Sequence, residues 1–164
     1  MAAGKRRDFC QLRSAIGASR RLGRAIGEHM ERMRLQTVLY VDDEPDIRQI
    51  VQLALGLAPE LTIHTAGSGE HALALARELR PDLVLLDVMM PGLDGPGTLS
   101  RMRTDSLLAP IPVIFMTAKA MPQEVARFRQ MGAAGVIAKP FDPMQLMHHV
   151  FALWDAIPSE AVTP

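Results

Sequence analysis

Short apolar runs alternate with longer segments of helical period from residue 37 onward, and this alternation limits the possible folds more than any other feature of the sequence. Three of the runs are almost uninterrupted, which is typical of strands buried on both faces of a parallel sheet. The segments between them are long enough for crossover helices. The pattern therefore predicts an α/β fold, namely a doubly wound parallel sheet of five strands.

Five strands and five helices account for the chain after residue 35. The strands are predicted at residues 36–41, 61–65, 82–86, 111–116 and 135–138. The helices are predicted from residue 45, at 69–79, and at 95–104, 122–131 and 143–154. The first, third and fourth strands are the most apolar, so we expect them at the centre of the sheet. Ser68 is predicted to cap the second helix.

The first helix carries an apolar stripe with helical spacing. We expect the following residues to face the sheet: Ile47, Ile50, Val51 and Ala54. We expect the following residues to point outward: Arg48, Gln49, Gln52 and Leu53. An exposed leucine among polar residues is either a docking position or an ordinary surface side chain.

The net charge of the chain changes from positive to negative near Leu35. Residues 1–35 hold nine Lys/Arg and three Asp/Glu, whereas residues 36–164 hold nine and fifteen. We predict a basic N-terminal extension at 1–35, one compact domain at 36–155 and a short tail at 156–164. Three interpretations of the extension stay open: a tail that binds nucleic acid or an acidic partner, a marginal helix or flexible segment, or a start of translation at Met30 or Met33. Nucleic-acid binding is not expected elsewhere in the chain.

The single cysteine, Cys10, cannot form a disulfide within the chain. No window approaches the length of an apolar membrane span, and the N-terminus lacks the apolar centre of a secretory signal. These features predict a protein without a membrane span that acts in the cytoplasm.

Polar residues follow the predicted strands at one edge of the sheet. Asp42 and Asp43 follow the first strand, Asp87 follows the third, Thr117 the fourth and Lys139 the fifth. The carboxyl ends of parallel strands meet at one edge, where ligands bind in open α/β sheets. Any one of these residues alone is more often a helix cap or a solvated turn, and Asp43 is a natural cap for the first helix. Their common edge favours a functional site.

Three carboxylates around one point repel one another, and a hard divalent cation relieves that repulsion. Mg²⁺ is the natural candidate because it prefers oxygen ligands and commonly bridges carboxylates and phosphates. An ammonium and a small hydroxyl at the same edge suit a phosphoryl group. The residues thus predict a phosphoryl acceptor site in which Asp87 is the nucleophile, Asp42 and Asp43 hold the metal, and Lys139 and Thr117 contact the acceptor or the phosphoryl group.

Four motifs in this order and spacing resemble the receiver domain of two-component response regulators, from about residue 37 to residue 154. They are Val41-Asp42-Asp43-Glu44-Pro45, Leu86-Asp87-Val88-Met89-Met90-Pro91-Gly92-Leu93-Asp94-Gly95, Met116-Thr117-Ala118-Lys119 and Ala138-Lys139-Pro140-Phe141. The resemblance implies a flavodoxin-like sheet with strand order 2-1-3-4-5. It also implies a signalling module rather than an enzyme with a separate substrate.

The resemblance further implies phosphorylation of Asp87 with Mg²⁺ by a phosphohistidine on a histidine kinase or a histidine phosphotransfer protein. The backbone carbonyl of Met89 would be the remaining protein ligand of the metal. A cis peptide is expected between Lys139 and Pro140. With only ten residues after Trp154, the resemblance is to a stand-alone receiver that acts on an unknown downstream protein.

Val136 departs from the family pattern, because an aromatic switch residue often stands three positions before the lysine. An alternative function is therefore a receiver-like domain that binds partners constitutively through a weak switch. A phosphatase is disfavoured because Met89 stands where a second acid is needed. On the expected readout face, formed by the fourth helix, fifth strand and fifth helix, Phe128 is predicted to be buried and Trp154 partly exposed.

Overall fold

The computed structural model describes residues 34–158 as five strands alternating with five helices. The strands are β1 (Thr37–Val41), β2 (Thr62–Ala66), β3 (Leu83–Asp87), β4 (Val113–Thr117) and β5 (Gly135–Ala138). The helices are α1 (Pro45–Leu55), α2 (Gly69–Leu79), α3 (Gly95–Thr104), α4 (Pro122–Gln130) and α5 (Pro143–Asp155). Each predicted element is present, with ends that differ by at most two residues from those predicted.

All neighbouring strands pair in parallel, in the order β2-β1-β3-β4-β5. This confirms the predicted fold class and strand order. The three most apolar strands, β1, β3 and β4, are the central ones. β3 and β4 extend one residue further than predicted, so Asp87 and Thr117 are the last residues of their strands. The backbone of both residues is therefore fixed by pairing with a neighbouring strand rather than by a loop.

Two hydrophobic layers cover the sheet, one on each face. One contains Tyr40 of β1 and Ile114 of β4 beneath α1 and α5. The other contains Leu39 of β1 and Phe115 of β4 beneath α2, α3 and α4. Neighbouring residues of a strand thus enter opposite layers, as the period of two in a pleated strand requires. The central strands are buried on both faces, which explains their uninterrupted apolar runs.

The inward stripe of α1 differs from the predicted one. Val51, Ala54 and Leu55 are buried, whereas Ile50 is 41% exposed. Successive residues of a helix turn by about 100°, so a stripe centred between Val51 and Leu55 leaves Ile50 at its margin. The prediction that Ile50 faces the sheet is wrong, and Leu55 fills the core instead. Leu53 lies on the outer side, as predicted, and is 68% exposed.

The two aromatic predictions for α4 and α5 had different outcomes. Phe128 is buried as predicted, with its ring centroid 4.8 Å from that of Phe115. Trp154 is only 6% exposed, so its predicted partial exposure is wrong. Leu146, Val150 and Trp154 follow one another at intervals of four, and all three are buried. The apolar stripe of α5 thus continues to the last turn of the helix.

The helix starts follow the predicted chemistry. Ser68 caps α2, because its hydroxyl accepts a hydrogen bond from the His71 N–H at 3.2 Å. Pro45, Pro122 and Pro143 stand in the first turns of their helices, where proline is tolerated.

The described part of the chain contains no helix of sufficient length and hydropathy to cross a bilayer. The predicted extension at 1–35 and tail at 156–164 fall mostly outside residues 34–158, so the domain limits stay a prediction.

Two leucines of α1 provide a test of this packing. Leu55→Ala is expected to lower the free energy of unfolding by about 2–5 kcal/mol, because Leu55 is fully buried and its removal leaves a cavity. Leu53→Ala, on the same helix, is expected to change it by less than about 0.5 kcal/mol. Urea denaturation of both variants measures the difference, and equal losses would contradict the orientation of α1.

Candidate functional site

Four polar side chains meet at the carboxyl edge of the sheet. Asp42 follows β1 directly, Asp87 ends β3, and Lys139 follows β5. Thr117 ends β4 between them. Asp42, Asp87 and Thr117 are buried although they are polar. Buried charged groups are strongly destabilising unless they are paired or bind a metal, so their contacts are informative.

Lys139 bridges two of the carboxylates. Its Nζ donates to Oδ2 of Asp42 at 2.6 Å and to Oδ1 of Asp87 at 2.8 Å. Burial opposes the charged ammonium, but the hydrogen bonds to Asp42 and Asp87 outweigh it and raise the pKa of Lys139 above its usual value. Burial raises the pKa of Asp87, and Lys139 offsets that rise only in part. The ammonium is therefore the counter-charge of the site in this structure.

Asp42 is the most completely satisfied acid of the site. Its Oδ1 accepts the Glu44 N–H at 2.9 Å, and its Oδ2 accepts the Tyr40 hydroxyl at 2.5 Å in addition to Lys139. Burial and the bond to Asp42 raise the pKa of Tyr40 far above its usual value. The hydroxyl of Tyr40 is thus a neutral donor to Asp42.

Arg48 fixes the backbone of the same segment. Its Nη1 donates to the carbonyl of Asp42 at 2.7 Å, so the prediction that Arg48 points outward is wrong. The Asp42 N–H donates to the carbonyl of Ala66 at 3.1 Å. The acidic turn is therefore tied to the end of β2 and to α1.

Asp43 completes a cluster of three carboxylates. One oxygen each of Asp42, Asp43 and Asp87 lies within 4.8 Å of the others. Oxygen ligands of Mg²⁺ lie about 2.1 Å from the ion and so at most about 4.2 Å apart, which requires only a small contraction of this cluster. Glu44 is the N-cap of α1, and within residues 34–158 no side chain caps that helix, so Asp43 is not used as a cap. An all-oxygen set of this size fits a hard divalent cation.

The loop after Asp87 is held by its backbone. The Val88 N–H donates to the carbonyl of Met116 at 3.1 Å, and the Val88 carbonyl accepts the Gly95 N–H at 3.1 Å. A Cβ on Gly95 would overlap the Asp87 carbonyl and lie 2.8 Å from the Val88 Cα, so this position requires glycine. Gly92 has a φ of +75°, which glycine adopts without strain.

Thr117 connects β4 to two neighbouring segments. Its hydroxyl accepts the Lys119 N–H at 3.0 Å, and its carbonyl accepts the Lys139 N–H at 2.8 Å. Within residues 34–158 the hydroxyl makes no hydrogen bond to Asp87. The peptide between Lys139 and Pro140 is cis, as expected. Val136 of β5 is partly buried and packs against the layer that contains Phe115.

The structure brings together the side chains of Asp42, Asp43, Asp87 and Lys139 and places Thr117 at the end of the neighbouring strand, but their roles stay predictions. Met89 is 73% exposed on the loop after Asp87. Tyr40 and Arg48 were not predicted to belong to the site. Tyr40 could have been found, because residues two apart in a strand point to the same face, and Tyr40 precedes Asp42 by two. Arg48 gave no comparable signal, since an arginine in the first turns of a helix is normally solvated.

Comparison with known proteins identifies the family. The family model described as "Response regulator receiver domain" matches residues 38–151. The nitrate/nitrite response regulator protein NarL of Escherichia coli is 37% identical over 131 residues, which are 78% of this chain and 60% of NarL. The phosphate regulon transcriptional regulatory protein PhoB of Pseudomonas aeruginosa is 36% identical over 72% of this chain and 51% of its own length. The chain therefore spans little more than half the length of these relatives.

Solved structures agree with the sequence comparison. Chemotaxis response regulator CheY4 of Vibrio cholerae has a TM-score of 0.68 and 32% identity, covering 73% of this chain and 99% of that chain. The N-terminal domain of a response regulator receiver protein from Methanoculleus marisnigri has a TM-score of 0.60 and 37% identity, covering 73% and 92%. The chain belongs to the response regulator receiver domain family, the signalling modules of two-component systems.

Proposed function

We propose that the domain accepts a phosphoryl group on Asp87 from a phosphohistidine of a histidine kinase or histidine phosphotransfer protein. It would act in the cytoplasm and relay the signal by protein contact or onward transfer. The observation that carries the proposal is the pair of hydrogen bonds from Lys139 to Asp42 and Asp87, beside Asp43. Asp87 is a buried acid at the end of a strand, and the ammonium of Lys139 is already bound to it. An anionic acceptor and an incoming phosphoryl group require such a positive group beside them.

Phosphoryl transfer to Asp87 requires no reactant other than the phosphohistidine. Lys139 binds Oδ1 of Asp87, so Oδ2 is the oxygen assigned to attack phosphorus. An oxygen–phosphorus bond forms as the nitrogen–phosphorus bond of phosphohistidine breaks, and the electron pair returns to the imidazole. In a separate dephosphorylation step water attacks phosphorus, the phosphorus–oxygen bond to Asp87 breaks, and inorganic phosphate leaves while Asp87 regains its free carboxylate. The product of the forward step is an acyl phosphate.

Asp42, Asp43, Asp87 and the backbone carbonyl of Met89 would hold Mg²⁺, which when bound neutralises charge on the phosphoryl oxygens. The three carboxylates support this assignment by their spacing. The Val88 carbonyl is already bonded to Gly95, which makes the Met89 carbonyl the next one available in the loop.

Lys139 would pair with the acyl phosphate once the charge of Asp87 is shared with phosphorus. Thr117 would donate its hydroxyl to a phosphoryl oxygen, since a hydroxyl that accepts the Lys119 N–H still has its own proton to give. Phosphorylation adds about −1.5 to −2 charges and three acceptors. If Thr117 moves toward the phosphoryl oxygens, the segments that contain Lys119 and Lys139 would shift with it, because both are hydrogen-bonded to Thr117.

Constitutive binding remains the second candidate, and Val136 is the residue that favours it. A valine has no ring to swing between buried and exposed positions. The two functions differ in one measurement, the affinity for a downstream partner with and without phosphate on Asp87. A change in affinity supports phosphorylation control, whereas equal affinities support constitutive binding.

Asp87→Asn tests the acceptor. We expect the unchanged domain, incubated with acetyl phosphate and Mg²⁺, to gain one acid-stable phosphoryl group that hydroxylamine removes, because it is an acyl phosphate. Asp87→Asn is expected to gain none, since an amide is a poor nucleophile. Intact-protein mass spectrometry before and after hydroxylamine measures both results.

Asp94→Asn is the matched control for Asp87→Asn. Asp94 caps α3 through a bond from the Gly97 N–H at 2.7 Å, and asparagine caps equally well. The control is expected to be labelled like the unchanged domain. A domain that takes up no label at any Mg²⁺ concentration would refute the proposed function.

Lys139→Met tests the counter-charge. Without Mg²⁺ we expect the free energy of unfolding to fall by about 3 kcal/mol, because two buried carboxylates lose their partner. Mg²⁺ is expected to restore more stability to this variant than to the unchanged domain, since the ammonium no longer competes for the carboxylates. Urea denaturation with and without Mg²⁺ measures both effects.

Arg77→Met is the control for loss of an ion pair at the surface. Arg77 is 54% exposed and pairs with Asp105 at 2.7 Å. We expect a loss below about 1 kcal/mol and the same response to Mg²⁺ as in the unchanged domain. Equal behaviour of the two variants would contradict the assignment of Lys139.

A further inference from the structure

We propose that Tyr40 is a positioning residue that restrains the carboxylate of Asp42 and so weakens the contribution of Asp42 to binding of the divalent cation. The inference rests on the cation site of the proposed function and goes further by assigning a role to a residue outside the acidic cluster. It is carried by the hydrogen bonds of Asp42 and by the burial of Tyr40.

Three donors converge on the carboxylate of Asp42. The Tyr40 hydroxyl and Lys139 share Oδ2 at 2.5 and 2.6 Å, and the Glu44 N–H binds Oδ1 at 2.9 Å. A carboxylate offers about four lone-pair positions, so about one remains for anything else. Asp42 can thus offer about one lone pair to the ion or to a metal-bound water, and it can offer a second only by breaking an existing hydrogen bond. In the described part of the chain, no such bonds hold the carboxylate of Asp43.

The fold leaves the Tyr40 hydroxyl little freedom. Tyr40 pairs with Thr65 of β2 on one side and Leu85 of β3 on the other, so its backbone is fixed by two neighbouring strands. The residue is fully buried in the same hydrophobic cluster as Val51 and Leu146. The ring lies in the hydrophobic layer beneath α1 and α5, and its hydroxyl contacts Asp42 at the carboxyl edge of the sheet. A donor held this firmly fixes the rotamer of its acceptor.

Replacement by phenylalanine isolates the hydroxyl. Tyr40→Phe keeps the ring in the core and removes one of the two donors to Oδ2 of Asp42. More of the charge of Asp42 then remains for a cation, and the side chain is free to turn toward it. Hydrogen bonds to charged groups are stronger than those between neutral groups, so we expect divalent binding to tighten by about fivefold.

A double-mutant cycle on metal affinity tests this directly. Mn²⁺ takes the same oxygen ligands as Mg²⁺, and the electron paramagnetic resonance signal of free Mn²⁺ gives the dissociation constant, with Mg²⁺ as competitor. Tyr40→Phe is expected to tighten binding in the unchanged background. In the Asp42→Asn background it is expected to have no effect, because an amide lacks the charge that the hydroxyl restrains.

A second measurement observes the Tyr40 hydroxyl without replacing Tyr40. Tyr40 is the only tyrosine of the chain, so protein labelled with ¹³Cζ-tyrosine gives one resonance from the phenol carbon. That resonance depends on the hydrogen bond of the hydroxyl. We expect it to shift when Mg²⁺ is added, since the cation draws on the same carboxylate. The shift is expected to be smaller in Asp42→Asn.

Val38→Ala is the control for a purely structural effect. Val38 stands two residues before Tyr40 in the same strand and hydrophobic layer and is fully buried. We expect it to lower thermal stability with unchanged Mn²⁺ affinity.

Three results would overturn the inference while leaving the cation site intact. They are an unchanged or weakened Mn²⁺ affinity in Tyr40→Phe, an equal change of affinity in both backgrounds, and a ¹³Cζ resonance that does not shift when Mg²⁺ is added. A domain that binds neither Mn²⁺ nor Mg²⁺ would overturn the inference together with the proposed metal site.

Discussion

The two hydrogen bonds from Lys139 to Asp42 and Asp87 are the interaction on which the functional edge depends. Each acid is buried at the end of an apolar strand, where an unpaired charge is strongly destabilising. Lys139 follows β5, at the edge of the sheet, so its stem must reach across β4 to Asp87 and beyond it to Asp42. In the strand order β1-β3-β4-β5, both acids lie on the far side of β4 from Lys139, and one ammonium contacts them both. The ion pair therefore depends on this strand order.

One ammonium among three carboxylates leaves the cluster with an excess of negative charge. That excess favours a divalent cation, and the cation in turn favours a phosphoryl group, which brings about −1.5 to −2 charges of its own. Under the proposed function, metal binding and phosphorylation would be coupled through electrostatics without movement of the backbone. In the proposed role of Tyr40, its neutral hydroxyl would lower the share of the charge of Asp42 that is available to a cation, and it would add no charge of its own.

The sequence predicted the parts of the structure that repeat a simple period. The apolar runs of β1, β3 and β4 indicated central strands, and the polar residues after them indicated the functional edge. Contacts that depend on the rotation of a helix or the reach of one side chain were not predictable in this way. Ile50 was assigned to the core because its spacing fits the stripe, but the stripe is centred one residue further round the helix. Arg48 and Tyr40 were missed because their roles depend on single contacts to Asp42.

Thr117 shows how the site can affect the rest of the domain without an aromatic switch at Val136. Its carbonyl accepts the Lys139 N–H and its hydroxyl accepts the Lys119 N–H, so both the end of β5 and the loop after β4 are bonded to one residue. If the hydroxyl turns to a phosphoryl oxygen, its geometry toward Lys119 changes and the loop that leads to α4 must adjust. This route runs through the backbone and is independent of the side chain at position 136. Val136 therefore lacks a ring that could change position on phosphorylation. The hydrogen bonds of Thr117 to Lys119 and Lys139, which could transmit a movement of Thr117, do not depend on Val136.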